Sequence, residues 1–325
     1  MSEKKQTNVA LIIIGVVVGA GLLMMCLCGV GAMAFLGIAS RANVTVSPHA
    51  VSPPLTPQAE DYAVARRSFS TKLRRTGPSP QPAAPNFQVH GAEPVSYRSG
   101  DLSLTAYVDP PPADGQKRPA VLFLHGGFAF GDGDLEMAQP YRDAGYVVME
   151  PVLRGENGQP GNFTLFFDEV EDVLGAADAL RNLSYVDADR VYVAGHSAGG
   201  TLAMLAAMAS DKFRAAAAFS GSPDAGQLVR DLPHLSVFDT SDIRELQIRS
   251  PSVYGASFKC PARLYYGAAE GWAAASTAQT ANLARGSGID VEAVLVPGDH
   301  FSSVPDAIRR SIEFFRSQSA VRSAP

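Results

Sequence analysis

Two hydrophobic patterns divide the chain. From Val9 to Ala39 no residue is charged, a run that exceeds the roughly 20 apolar residues needed to cross a bilayer. Beyond Val95 the apolar stretches are short and change period. "LSLTAYV" at 102–108 alternates apolar and polar positions, which predicts a strand with one face exposed. "PAVLFLHGG" (119–127), "GYVVMEP" (145–151), "RVYVAG" (190–195), "RAAAAFS" (214–220), "ARLYYG" (262–267) and "VEAVLVPG" (291–298) are continuous apolar runs, as parallel strands buried on both faces require. Between Phe163 and Leu183 apolar residues recur at helical spacing (Phe166, Val170, Val173, Leu174, Ala177, Leu180), and "AGGTLAMLAAMAS" and "SIEFFRS" predict two more helices. Strands alternating with helices make the fold class α/β, a mostly parallel sheet covered by helices on both faces.

These patterns predict a tail at 1–8, a transmembrane anchor at 9–39, a linker at 40–94, an α/β domain at 95–318 and a tail at 319–325. The apolar run is about twice the length of a secretory signal core, so an uncleaved anchor is expected. Lys4 and Lys5 before it, against Arg41 after it, predict a cytoplasmic N-terminus and an extracytoplasmic domain. Prolines at 48, 53, 54, 57, 78, 80, 82 and 85 give the linker the composition of an extended, semi-rigid spacer. Its basic cluster (Arg66, Arg67, Lys72, Arg74, Arg75) reads as a solvated surface.

Composition narrows the chemistry. Of three cysteines, Cys26 and Cys28 lie in the apolar run and Cys260 stands alone, so neither a disulfide framework nor a cysteine zinc site is expected in the domain. "GDGDLE" places Asp132, Asp134 and Glu136 at alternate positions but lacks the glycine a calcium loop needs at its sixth position. No phosphate-binding glycine motif follows a strand. With a net charge of −5, no nucleic-acid surface is expected.

One constellation carries chemistry. Strand "RVYVA" runs into Gly195-His196-Ser197-Ala198-Gly199 and then into a helix, the strand–turn–helix setting in which G-x-S-x-G presents a nucleophile. A serine hydroxyl needs a base. Of six histidines, His49 falls in the linker, His90 precedes the first strand, and His125 ends the strand before a glycine loop. His196 adjoins the serine, where its side chain is expected to point away, and His234 lies in an insertion. His300 remains, just after the last strand and before the last helix. "LHGGF" supplies a glycine loop for an oxyanion hole, with the N–H of Gly127 or Phe128, together with that of Ala198, as expected donors.

From about Val95 to Phe315 the chain resembles the α/β-hydrolase superfamily, and more narrowly the prolyl-oligopeptidase-like and dienelactone hydrolase or esterase-related catalytic domains. The resemblance rests on "HGG", "LRGENGQPG", "DEVEDVLGAADAL", "YVDADRVYVAGHSAGG", "RSP" at 249–251 and "CPARLYYGAAE". In that family a strand after a proline ends in His-Gly-x-x-Asp, whose aspartate is the triad acid. Here the segment is Tyr266-Gly267-Ala268-Ala269-Glu270, so the resemblance implies Glu270 as the acid, one methylene longer. Asp224, just after the preceding strand in "SGSPDAG", is the alternative, and Asp299 adjoins His300. The family also places lids where residues 222–258 lie.

The resulting expectation is an α/β-hydrolase fold preceded by one transmembrane helix, acting as a membrane-anchored serine hydrolase on a small-molecule ester or a peptide, with Ser197, His300 and Glu270 as the triad and no cofactor or metal. The alternative of another class is a catalytically silent hydrolase fold used as a binding module.

Overall fold

The computed structural model describes residues 55–83 and 89–320. The expected anchor, at residues 9–39, lies outside them. Among the described residues no helix is long and apolar enough to cross a membrane.

The strands are β1 (Glu93–Ser99), β2 (Leu102–Val108), β3 (Arg118–Leu124), β4 (Val147–Pro151), β5 (Val186–His196), β6 (Ala216–Phe219), β7 (Ala262–Gly267) and β8 (Val291–Val296). They form one sheet in the order β1-β2-β4-β3-β5-β6-β7-β8. β1, β2 and β4 pair antiparallel, and every pair from β4 through β3 to β8 is parallel. The continuous apolar runs follow from burial on both faces. In β3, Ala120, Leu122 and Leu124 pack on one face while Val121 and Phe123 pack on the other. The first face is covered by α4 (Glu169–Arg181), α5 (Ala198–Ala209) and α8 (Gly271–Gly286), the second by α3 (Gln139–Asp143) and α9 (Val304–Ala320). β2 buries alternate residues only, as its alternating sequence requires.

Three departures from the pattern have physical causes. β1 carries a proline and buries little besides Tyr97 and Ser99, which is tolerable only on a sheet edge and leaves almost no periodic signal. The helix expected from Phe163 begins instead at Glu169. Before it, Leu165 and Phe166 take positive φ, and the buried Glu169 carboxylate accepts from the N–H and hydroxyl of Thr164, both at 2.6 Å. The apolar spacing there comes from a packed loop.

The third departure corrects the linker. Residues 55–83 are packed onto the domain. Helix α1 (Tyr62–Ser68) is N-capped by Asp61, whose carboxylate accepts from Ala63 N at 2.9 Å. Tyr62 and Ala65 are fully buried, and Leu73 bridges to Phe238. Arg66, expected in solvent, lies over the Phe167 ring at 4.9 Å. Proline content reads as a spacer, but Leu55, Tyr62, Ala65, Phe69 and Leu73 supply an apolar face that buries against the core.

Arg249 ties these parts together. Fully buried, it donates to Glu245 at 2.6 Å, to Thr71 Oγ1 at 2.8 Å and to the Thr164 carbonyl at 3.0 Å, with its guanidinium 3.9 Å over the Phe238 ring. One cation thereby joins the N-terminal segment, the loop before α4 and the insertion. That insertion comprises α6 (Ala225–Asp231) and α7 (Ile243–Gln247) with two short 3₁₀ turns. Removing one partner of a buried ion pair costs about 3–5 kcal/mol, so Arg249→Ala is expected to lower stability by that amount, measured by urea denaturation.

Candidate active site

The turn after β5 is built by close packing. A Cβ on Gly195 would stand 2.4 Å from the Gly199 carbonyl oxygen, and one on Gly199 only 2.1 Å from that of Leu124. Glycines on both sides let β5, the turn and α5 approach each other closely. Ser197 takes φ 55° and ψ −116°, a conformation that costs on the order of 1–3 kcal/mol in a non-glycine residue. The sheet holds it there: Ser197 N–H donates to the Phe219 carbonyl of β6 at 2.8 Å. The hydroxyl is thereby raised above the carboxyl ends of the parallel strands.

His300, in the loop between β8 and α9, reaches this hydroxyl. Its Nε2 lies 3.0 Å from Ser197 Oγ, and its Nδ1 lies 2.6 Å from Glu270 Oε1. Glu270 is 2% exposed. Its second oxygen, Oε2, accepts from Ser220 Oγ at 2.6 Å and from Gly267 N at 2.7 Å. The extra methylene lets the carboxylate fold back onto the N–H three residues earlier, at the end of β7. Burial raises the Glu270 carboxyl, but hydrogen bonds from His300, Ser220 and Gly267 outweigh it and hold the group below the usual glutamate range.

Of the alternative acids, Asp224 caps α6, accepting from Gln227 N at 3.0 Å, and Asp299 accepts from Ser302 N at 2.9 Å. Neither joins the chain of bonds that links Ser197, His300 and Glu270. Ser220, at φ 51° just past β6, was not singled out from the sequence. Its only sequence signal was its position at a strand end in "SGSPD".

Two histidines set aside in the sequence have defined places. His196 does not point away: its Nε2 lies 2.8 Å from the His300 carbonyl oxygen, and the two rings are 4.8 Å apart. Burial lowers its pKa to about 4, against the hydrogen bond to His300 that favours the charge. At neutral pH the ring is therefore uncharged, and Nε2 carries the proton it donates. His125 is buried, with Nε2 3.0 Å from Glu156 Oε2 and Nδ1 3.0 Å from the Gly126 carbonyl oxygen. Burial opposes its charge, but the Glu156 carboxylate wins and raises its pKa to about 10. A buried imidazolium thus holds the first peptide of the glycine loop.

In that loop Gly127 takes φ 69°, which suits glycine. Phe128 N–H donates to Gln81 Oε1 at 3.0 Å. Among the described residues the N–H groups of Gly127 and Ala198 have no hydrogen-bond partner. The two alternatives for the loop donor therefore differ: Gly127 is free and Phe128 is engaged. All three residues line a cavity of about 350 Å³ beside Ser197 and His300, walled by Phe166, Leu228, Leu232, Leu235 and Trp272. Asp134, from the acidic run, accepts from Gly131 N at 2.7 Å at the start of a short helix.

Two measurements probe this arrangement. Glu270→Gln is expected to lower kcat by roughly 10²–10⁴, the loss that follows when a triad acid is neutralised. Asp224→Asn should leave kcat near wild type, and kinetics on a chromogenic ester compares the two. His125 has a folded pKa near 10 and an unfolded one near 6.5, so its stabilisation is complete below about pH 6.5 and is lost as pH rises through about 10. Glu156→Gln should lower stability at neutral pH and flatten this alkaline decline, read from urea midpoints between those limits.

Comparison with known proteins agrees with this architecture. Residues 134–233 match the prolyl oligopeptidase family, Peptidase_S9. An uncharacterized peptidase of Bacillus subtilis, YtmA, is 30% identical over 119 residues, which span 35% of this chain and 44% of that protein. Among solved structures, the acylaminoacyl peptidase of Pyrococcus horikoshii superposes with a TM-score of 0.58 at 20% identity, over 70% of this chain and 41% of that one. Est1E from Butyrivibrio proteoclasticus superposes at 0.53 with 18% identity, over 71% of this chain and 100% of its own. The chain thus spans less than half the length of the two peptidases. These matches make residues 134–233 similar to the prolyl oligopeptidase family and show that the chain shares its fold with these solved structures over about 70% of its length.

Proposed function

We propose that the chain is a serine hydrolase that cleaves an ester or peptide bond through an acyl-enzyme, attached to a membrane by residues 9–39. The observation that carries the reading is the unbroken chain of hydrogen bonds from Ser197 Oγ through the His300 ring to Glu270, opening on an apolar cavity.

In this reading Ser197 Oγ attacks the acyl carbon while His300 Nε2 takes its proton. Glu270 keeps the other ring proton on Nδ1 and stabilises the imidazolium. The oxyanion forms against the N–H groups of Gly127 and Ala198. Collapse expels the alcohol or amine, protonated by His300, and leaves the acyl group on Ser197. Water, deprotonated by His300, attacks the ester in turn, and the proton returns to Ser197 as the acid departs. Every proton moves between Ser197, substrate, water and the His300 ring, so the cycle closes without a cofactor.

The cavity walls (Phe128, Phe166, Leu228, Leu232, Leu235, Trp272) favour an apolar acyl group or side chain next to the scissile bond. The peptidase names among the relatives support a peptide or aminoacyl substrate, and an apolar cavity of this size admits a small ester as well. A silent binding module would have no use for a buried carboxylate aligned on the His300 ring.

Fluorophosphonate labelling tests the reading: wild type is expected to label and Ser197→Ala not to, and labelling that persists in the variant would refute it. Activity on p-nitrophenyl esters should rise from acetate to longer acyl chains, and parallel assays on aminoacyl amides sort ester from peptide preference. For the anchor, the full chain is expected to stay with membranes through alkaline carbonate extraction while a chain lacking 1–39 is released. External protease should reach the domain from the extracytoplasmic side.

A further inference from the structure

The oxyanion loop is gripped from outside the sheet by the segment that precedes it. Resting on the hydrolase reading above, we propose that Ser79 and Gln81 are positioning residues that hold the Gly127 N–H in place as the oxyanion donor.

The argument is an account of the loop's peptide groups. The Gly126–Gly127 peptide carries the candidate donor on its nitrogen, and its oxygen is held by His125 Nδ1 at 3.0 Å. The next peptide presents Phe128 N–H, which donates to Gln81 Oε1 at 3.0 Å. The Phe128 carbonyl accepts from Ser79 Oγ. Farther on, Asn157 accepts from Phe130 N at 2.9 Å and donates to the Phe130 oxygen at 2.8 Å. Each peptide on the C-terminal side of the donor is therefore fixed by a side chain, and two of those side chains belong to residues 79–81.

Gln81 N donates to Ser79 Oγ at 3.3 Å, and Ser79 is itself anchored. Ser79 N donates to the Gly155 carbonyl at 2.9 Å, Phe163 N to the Gly77 carbonyl at 2.9 Å, and Gly77 N to Asn162 Oδ1 at 3.0 Å. The segment is thus fastened to the 155–163 loop at main-chain level before its side chains reach the glycine loop. A Cβ on Gly127 would stand 2.7 Å from Gln81 Oε1, so the carboxamide closes the side of the loop toward which any larger residue would project.

Gly127, with φ 69° and no side chain, is soft without such support. In its absence Phe128 N–H would bond to water, because Gln81 is exposed. The fold would lose little, but the neighbouring donor would lose its fixed direction. Preset direction is what an oxyanion donor contributes, and a displacement of about 1 Å can cost on the order of 10²-fold in rate.

The test uses the full chain. Gln81→Leu removes the acceptor, Gln81→Glu keeps an acceptor oxygen, and Ser79→Ala removes the second grip. Gln81→Leu is expected to lose roughly 10-fold to 100-fold in kcat, with KM within about twofold and the urea midpoint unchanged, as for a surface substitution. The Ser79→Ala/Gln81→Leu pair should lose at least as much kcat, with some loss of stability because Ser79 is buried. Gln81→Glu should retain most of the rate. Affinity for a trifluoromethyl ketone, whose adduct places an oxyanion in the hole, should fall in parallel with kcat/KM. Wild-type kcat in the leucine variant overturns the proposal, and a higher kcat overturns it by making Gln81 an obstruction. In either case Ser197-dependent fluorophosphonate labelling of the wild type leaves the hydrolase reading standing. Absence of that labelling removes both.

Discussion

The strained backbone of Ser197 is the constraint on which the site depends. A non-glycine residue at φ 55° holds that conformation only where its surroundings overdetermine it. Here the surroundings are the parallel sheet itself. The β5–β6 pairing continues into the turn through Ser197 N–H and the Phe219 carbonyl, and the helix that follows is pressed so close that Gly195 and Gly199 have no room for a Cβ. The hydroxyl is presented where ligands meet such sheets, past the carboxyl ends of the strands.

From that fixed point the other groups are placed by strand ends. Glu270 follows β7 and His300 follows β8, so the order of neighbouring strands sets the order of groups across the site. Each is braced by something short-range. Ser220, at the end of β6, and Gly267, at the end of β7, take one carboxylate oxygen and leave the other for the ring. His196 braces the backbone of His300 from beneath, as a neutral donor. A longer acid at this position is accommodated because its carboxylate turns back to its own strand end.

The glycine loop follows a different logic. Its support comes from a buried imidazolium–carboxylate pair below and from a segment outside the sheet above. That segment is held by a buried arginine, Arg249, which joins it to the insertion walling the cavity. The N-terminal segment, the glycine loop and the cavity wall are therefore mechanically one assembly around Ser197.

Strand and helix order was legible in the sequence from its continuous apolar runs, and the residues that the structure brings together were singled out there by glycines flanking a serine (Ser197), a polar residue just past a strand (His300) and a family resemblance (Glu270). Elements without such a mark were not legible. β1 is an edge strand with a proline, the 163–168 loop imitates helical spacing because its aromatics are buried one by one, and the 55–83 segment has a linker's proline content. Ser79, Gln81, His125, His196 and Ser220 act through partners tens of residues away, and no spacing rule records such contacts. The sequence by itself determined which residues are candidates for chemistry, because each sits at a strand end or turn that a local pattern records. Only the tertiary structure decided which carboxylate oxygen meets His300, which N–H of the glycine loop is left unbonded, and that a proline-rich segment packs against that loop, because those outcomes depend on long-range hydrogen bonds and on burial.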